Sequence, residues 1–327
     1  MTTSDVLARV KRTGKITADD ALEVRRAVYG SDAAINRLEI EAMLEIDAAA
    51  TVVDPEWTAL VSEAGSDFLV FQEPPEGYLS KENADWLTAH ISADGTIRTP
   101  RMLEMMVHAM ERARTAPCTL AALALAQVKL AVVEGRGPLA GSVKQGTIGG
   151  AEVEMLRRIL YAGAGEKGIA ISREEAEVLL DLNDTLAGGP HDPAWDDLFV
   201  KAMANFMMAA SGYRSPSREV ALERSQWLDA PNRGVGGFLG RMLAGGANSI
   251  LAAYRTDPDA EIAAHNAERD ADIAANAAVT AGEAEWLASR LGRDGRMQEN
   301  EKALLRFIRD EAPSIHPSLQ ALIARAA

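Results

Sequence analysis

Four short segments bring carboxylates, a turn-forming residue and a lone aliphatic side chain together at similar spacing. They are GSDAAINRLE (30 to 39), SADGTIRTPRMLE (92 to 104), GEKGIAISREE (165 to 175) and GRDGRMQENE (292 to 301). Carboxylate oxygens gathered in a tight loop are the ligands a hard divalent cation requires, and glycine permits the sharp turn that aims them inward. The same residue types also serve a local purpose. Asp or Ser accepts backbone N–H groups at a helix start, glycine turns the chain, and glutamates suit the positive first turn. The two uses differ in what the oxygens point at, an ion or the backbone.

Other chemistry is sparse. His90, His108, His191, His265 and His316 are scattered with no HExxH or HxH spacing, so a histidine zinc site would have to be assembled across distant helices. His191 precedes a helix cap at Asp192 and reads as a loop residue, while His108 reads as an interfacial residue of MLEMMVHAMERA. Cys118 begins an apolar stretch, APCTLAALALAQVKLAVV, where a buried inert thiol is expected. As the single cysteine it forms no intramolecular disulfide, which fits a reducing, cytoplasmic setting. GRGPLAG and GVGGFLG follow no strand and lack the GK[ST] ending of a phosphate loop. The methionines of MLEMMVHAM (102 to 110) and MANFMMAA (203 to 210) read as core filler before an adaptable binding face.

The elements that must carry these residues are helices. The chain is 47% hydrophobic but only 5% aromatic, and runs of β-branched strand formers are scarce. A formal charge of -14 repels phosphate backbones, which argues against a nucleic-acid partner. No window approaches the roughly 18 apolar residues of a membrane span. The start, MTTSDVLARVKRTGKI, has no apolar run after its basic residues, so neither secretion nor membrane spanning is expected.

The chain resembles itself. ITADDALEVRRAVY (16 to 29) matches IGGAEVEMLRRILY (148 to 161), and INRLEIEAMLEID (35 to 47) matches ISREEAEVLLDLN (171 to 183). A DPxW follows each, at Asp54, Pro55 and Trp57 and at Asp192, Pro193 and Trp195, an acidic cap with proline in the first turn. LSKENADWLTAHISADGTI (79 to 97) then matches VTAGEAEWLASRLGRDGRM (279 to 297), pairing Trp86 with Trp286. Collinear blocks with paired tryptophans point to duplication. The expected organisation is a first copy over 1 to 134, a glycine-rich hinge over 135 to 150, and a second copy over 151 to 327 with an insertion at about 211 to 275.

The four loops resemble the calcium-binding EF-hand loop, yet all lack the opening carboxylate. With Gly95 and Gly295 as the sixth loop residue, the first positions are His90 and Arg290 and the last are Arg101 and Glu301. With Ile35 and Ile171 as the eighth, Val28 and Ala164 come first and Glu39 and Glu175 last. A DG turn followed by an aliphatic residue and ExxxL is also similar to the tellurite-resistance TerB-like helical domain. That resemblance spans only the four short units. It implies helical bundles, some with acidic metal-binding positions, falling here on Asp32, Glu39, Asp94, Glu175, Asp294 and Glu301. Arg101 departs from that pattern.

The expected fold is therefore all-α: two duplicated helical bundles of degenerate EF-hand-like or TerB-like units, with a helical insertion in the second copy. Within the insertion, Phe238, Leu239, Met242, Leu243, Ile250, Leu251 and Tyr254 share one helical face that must be covered by the bundle, by a protein partner, by a second copy of the chain or, less favoured because Arg241 is the one basic residue of 234 to 254, by a membrane surface. No catalytic constellation emerges. The reading that follows is a non-enzymatic interaction or scaffold protein, with a stress or metal-response role implied by the resemblance. The alternatives are a divalent-metal (Ca, Mg or Zn) sensor or buffer using the loop carboxylates, and a helical enzyme with a site between the copies.

Overall fold

The computed structural model describes residues 3–30, 34–162, 171–210, 281–293, 297–311 and 317–326. The chain they form is mostly helical, and the strands among them are two residues long. It divides into two compact units, Met1–Trp195 and Asp196–Ala327.

In the first unit α1 (Thr3–Thr13) leads through β1 (Lys15–Ile16) to α2 (Ala18–Val28). Thr17 starts α2: its hydroxyl accepts the Asp20 N–H and the Asp20 carboxylate accepts the Thr17 N–H, so two otherwise orphaned donors are satisfied. Helix α3 (Arg37–Ala49) begins the same way with Asn36 and Glu39. β2 (Val52–Val53) pairs in parallel with β1, Ile16 opposite Val53. α4 (Pro55–Ser66) follows, capped by Asp54 with proline in its first turn.

A π-helical turn, Asp67–Gln72, widens the end of α4. Asp67 there accepts from Tyr29 Oη at 3.0 Å and from Arg112 at 3.2 Å. Burial, and then the bond to Asp67, push the titration of the Tyr29 hydroxyl upward, so it stays a donor.

α5 (Lys81–Ile91) runs into a hairpin, β3 (Ser92–Ala93) with β4 (Thr96–Ile97). Its turn, Asp94 and Gly95, has φ of 50° and 73°, the left-handed pair that an Asp-Gly two-residue turn supplies. α6 (Pro100–Arg112), capped by Thr99, lies across α4. The crossing is close: a Cβ on Gly65 would sit 2.3 Å from Met105 Cγ.

α7 (Cys118–Glu134) ends at Gly135 in the left-handed conformation. It packs on α5 and α6, and also on α8 (Gly150–Ala162) and α9 (Arg173–Leu186), much as α1 packs on α2 and α3. α8 is tied to α6 by Arg158, which donates to Glu104 and Glu111 at 2.7 and 2.8 Å. Those bonds hold the guanidinium's titration above its ordinary range, leaving it a permanent cation. Ahead of α10 (Pro193–Ala210), Ile148 bridges His191 in parallel, and Asp192 N–H donates to the Ile148 carbonyl at 3.0 Å. Asp54 N–H donates to the Ile16 carbonyl at 3.1 Å in the same way.

In the second unit α11 (Ala281–Arg290) and α12 (Glu299–Glu311) each pack on α13 (Pro317–Ala326). Their buried side chains include Leu287, Leu291, Leu304, Leu305, Ile308 and Leu319. Among the described residues, no helix is long and apolar enough to cross a membrane.

Candidate functional site

The glutamates of the acidic loops face the backbone. Glu39 Oε2 accepts the Asn36 N–H at 2.9 Å while the Asn36 side chain accepts the Glu39 N–H at 3.1 Å. Glu175 and Ser172 repeat this at 2.7 and 3.2 Å. Glu301 is 1% exposed, and its two oxygens accept Gln298 N–H at 2.8 Å and Gly292 N–H at 3.1 Å, joining the start of α12 to the turn after α11. These are capping arrangements, each stabilising its helix by about 1 kcal/mol. For Glu175 burial raises the carboxyl above its ordinary value, against the opposing pull of the Ser172 hydrogen bonds.

Asp94 lies exposed in the hairpin turn. Asp32 and Asp294 lie outside the described residues, as do Phe238, Leu239, Met242, Leu243, Ile250, Leu251 and Tyr254. Among the described residues no group of three or more His, Cys, Asp or Glu side chains is placed to hold a metal ion.

A densely bonded buried carboxylate is one that loop spacing does not single out. Asp47, at the end of α3, has no exposed surface. Its carboxylate accepts the Trp57 indole N–H at 2.9 Å, the Thr99 hydroxyl and Arg101 Nε, and its carbonyl accepts a second Arg101 donor at 3.3 Å. Three helices are pinned at one point. The sequence match pairs Asp47 with Asn183 and Trp57 with Trp195, and the Trp195 indole donates to Asn183 Oδ1 at 3.2 Å. The indoles of Trp57 and Trp195 are equally buried.

The chain matches no family model, no curated protein and no solved structure. Function must be read from the molecule.

The second tryptophan pair behaves like the first. Trp86 meets Phe68 edge-on at 5.5 Å and 63°, and Trp286 meets Phe206 at 5.2 Å and 68°. Around Trp86 the cluster continues into charge. Arg37 lies 5.3 Å over the ring and pairs with Glu73, while His90 stacks at 4.5 Å and reaches Glu41 at 3.3 Å.

The remaining candidates fall into structural places. His108 contacts the Ser62 carbonyl and His191 the Gly189 carbonyl through Nδ1. Met102, Met105, Met106, Met110, Met203 and Met207 are buried core residues. Cys118 corrects the expectation of a buried thiol: it is exposed, because it holds the first position of α7 ahead of the apolar face that begins at Leu120. A groove of about 470 Å³ beside α5 and α7 is lined by Asp85, Thr88, Ala89, Ser92, Thr119 and Leu123. Its carboxylate, Asp85, is paired with Lys81 on the same helix.

Proposed function

We propose that the chain is two copies of one helical unit, of the TerB-like kind, and that it works as a non-enzymatic interaction protein docking a protein partner through the first copy. Support for the duplication comes from equivalent hydrogen bonds at matched residues: Trp57 to Asp47 and Trp195 to Asn183, Asp54 to Ile16 and Asp192 to Ile148. Matched side chains on matched partners are what a duplication would leave.

The observation that carries the interaction reading is an asymmetry of surface. Leu22, Leu38, Val52 and Phe71 are exposed by 44, 76, 56 and 39%. The matched positions in the second copy hold Glu154, Glu174, Pro190 and Ala209. An exposed leucine where the sister position carries glutamate is not demanded by the fold. Exposed apolar side chains gathered in one patch favour contact with another protein surface, and this reading takes these four as belonging to such a patch.

The test is affinity purification from the native host followed by mass spectrometry, run with wild type and with Leu22→Glu/Leu38→Glu. Loss of the same partners from the folded variant is expected. Full retention sinks the reading. Calorimetric titration with calcium, magnesium and zinc addresses the loop glutamates, which this reading treats as caps. No heat and no shift of melting temperature at millimolar ion are expected, and a heat that disappears in Glu301→Gln restores the ion-sensor alternative.

A further inference from the structure

His90 is placed so that both ring nitrogens face acceptors. Nδ1 lies 2.7 Å from the Trp86 carbonyl and Nε2 lies 3.3 Å from Glu41 Oε1. A neutral imidazole has one N–H and one lone pair, so it satisfies one of these contacts and turns the lone pair on the other. Only the imidazolium donates to both. The ring also stacks on Trp86 at 4.5 Å and 32°, where positive charge is favoured by the indole face.

The charges around it do not supply a substitute. From α3, Arg37 is spent on Glu73 and the Trp86 ring, leaving Glu41 as the partner that faces His90. From the bend just after β4, Arg98 donates to the His90 main-chain carbonyl. In the π-helical turn Asp67 is held by Tyr29 and Arg112.

An independent observation concerns the same position in the sister copy. The sequence match pairs Glu41 with Glu177 and His90 with Arg290, so a fixed cation stands where the first copy has a titratable one. We propose that Glu41 and His90 form a pH-sensitive latch between α3 and α5, closed when His90 is protonated. The comparison with Arg290 rests on the duplication proposed above. The latch geometry does not.

The test follows the indole N–H signals of the five tryptophans in the ¹⁵N-labelled full chain from about pH 5 to 8, the range in which histidine changes charge. Trp86→Phe and Trp286→Phe assign the two relevant signals. In wild type the Trp86 signal should move through a one-proton transition, and in His90→Arg it should stay fixed at its low-pH position. A Trp86 signal that is static in wild type, or that moves equally in His90→Arg, overturns the latch. Arg290→His separates the two readings. A Trp286 signal that begins to titrate supports the equivalence of the copies. If it stays fixed while Trp86 titrates, the latch stands and the duplication reading is what fails.

Discussion

Arg101 donates from Nε to the carboxylate of Asp47, a residue 54 positions earlier with no exposed surface of its own. Arg101 is the residue that an EF-hand-like register would make the terminal ligand, and here its guanidinium is spent on the carboxylate of Asp47. A carboxylate so deeply buried is tolerable only while its partners are present. Arg101→Met should therefore cost about 3 to 5 kcal/mol, because the Asp47 charge is left facing only neutral donors. Adding Asp47→Asn should recover most of that loss, since an asparagine oxygen still accepts from the Trp57 indole, as Asn183 does from Trp195. Urea unfolding of the two single variants and the double variant measures the coupling, and strict additivity would refute the account.

Gly65 lies where α4 and α6 pack tightly. Its missing side chain leaves room for Met105, whose Cγ and Sδ would lie 2.3 and 2.4 Å from an added Cβ. Gly65→Ala should destabilise by roughly 1 to 3 kcal/mol despite the higher helix propensity of alanine. The further change Met105→Ala should be less damaging in this background than in wild type. Thermal unfolding reads both, and a stabilising Gly65→Ala would mean that the helices part at no cost.

How much of this was legible in the sequence depended on range. The caps at Asn36, Ser172 and Asp54 are local, the first two fixed by a pair of side chains within one turn and the third by Asp54 with proline beside it, and the residue types announce them. Helical class follows from composition for the same reason. The polar cluster at Asp47 was not visible, because an aspartate at the end of one acidic helix looks like any other until tertiary packing brings Trp57, Thr99 and Arg101 to it. The π-helical turn at Asp67 and the exposure of Cys118 likewise depend on where neighbouring helices end. Among the loop acids, spacing offered Glu39, Glu175 and Glu301 two uses, as ion ligands or as helix caps, and in the fold backbone N–H groups donate to all three.

Arg158 offers a test of geometry against charge. Its fork engages two glutamates of α6 at once, and it is about one quarter exposed. Arg158→Lys keeps the charge but not the bidentate shape. We expect Arg158→Lys to lose about 1 kcal/mol and Arg158→Met about 2 kcal/mol, both at low salt. Chemical denaturation at two ionic strengths should narrow the gap between wild type and Arg158→Met as salt rises. An unchanged gap would show that packing of the side-chain stem, rather than the ion cluster, holds α8 on α6.

Glu175 gives a prediction in pH. Burial raises its carboxyl above the ordinary glutamate value, so the folded chain holds that proton more tightly than the unfolded chain. Wherever the folded state binds more protons, stability falls as pH rises. The penalty is therefore absent below the ordinary glutamate range and accumulates as pH climbs from that range through the raised folded value, reaching its full extent near neutrality. Glu175→Gln removes the ionisation but keeps an oxygen that can accept the Ser172 N–H, preserving the cap. Melting temperatures of wild type and Glu175→Gln measured from pH 4 to 7 should thus converge differently at the two ends. The variant should gain on wild type toward pH 7, and at pH 4 it should show no advantage. A difference that is constant across the range would mean that ionised Glu175 meets no desolvation cost in the fold, and that the cap accommodates its charge as readily as water does.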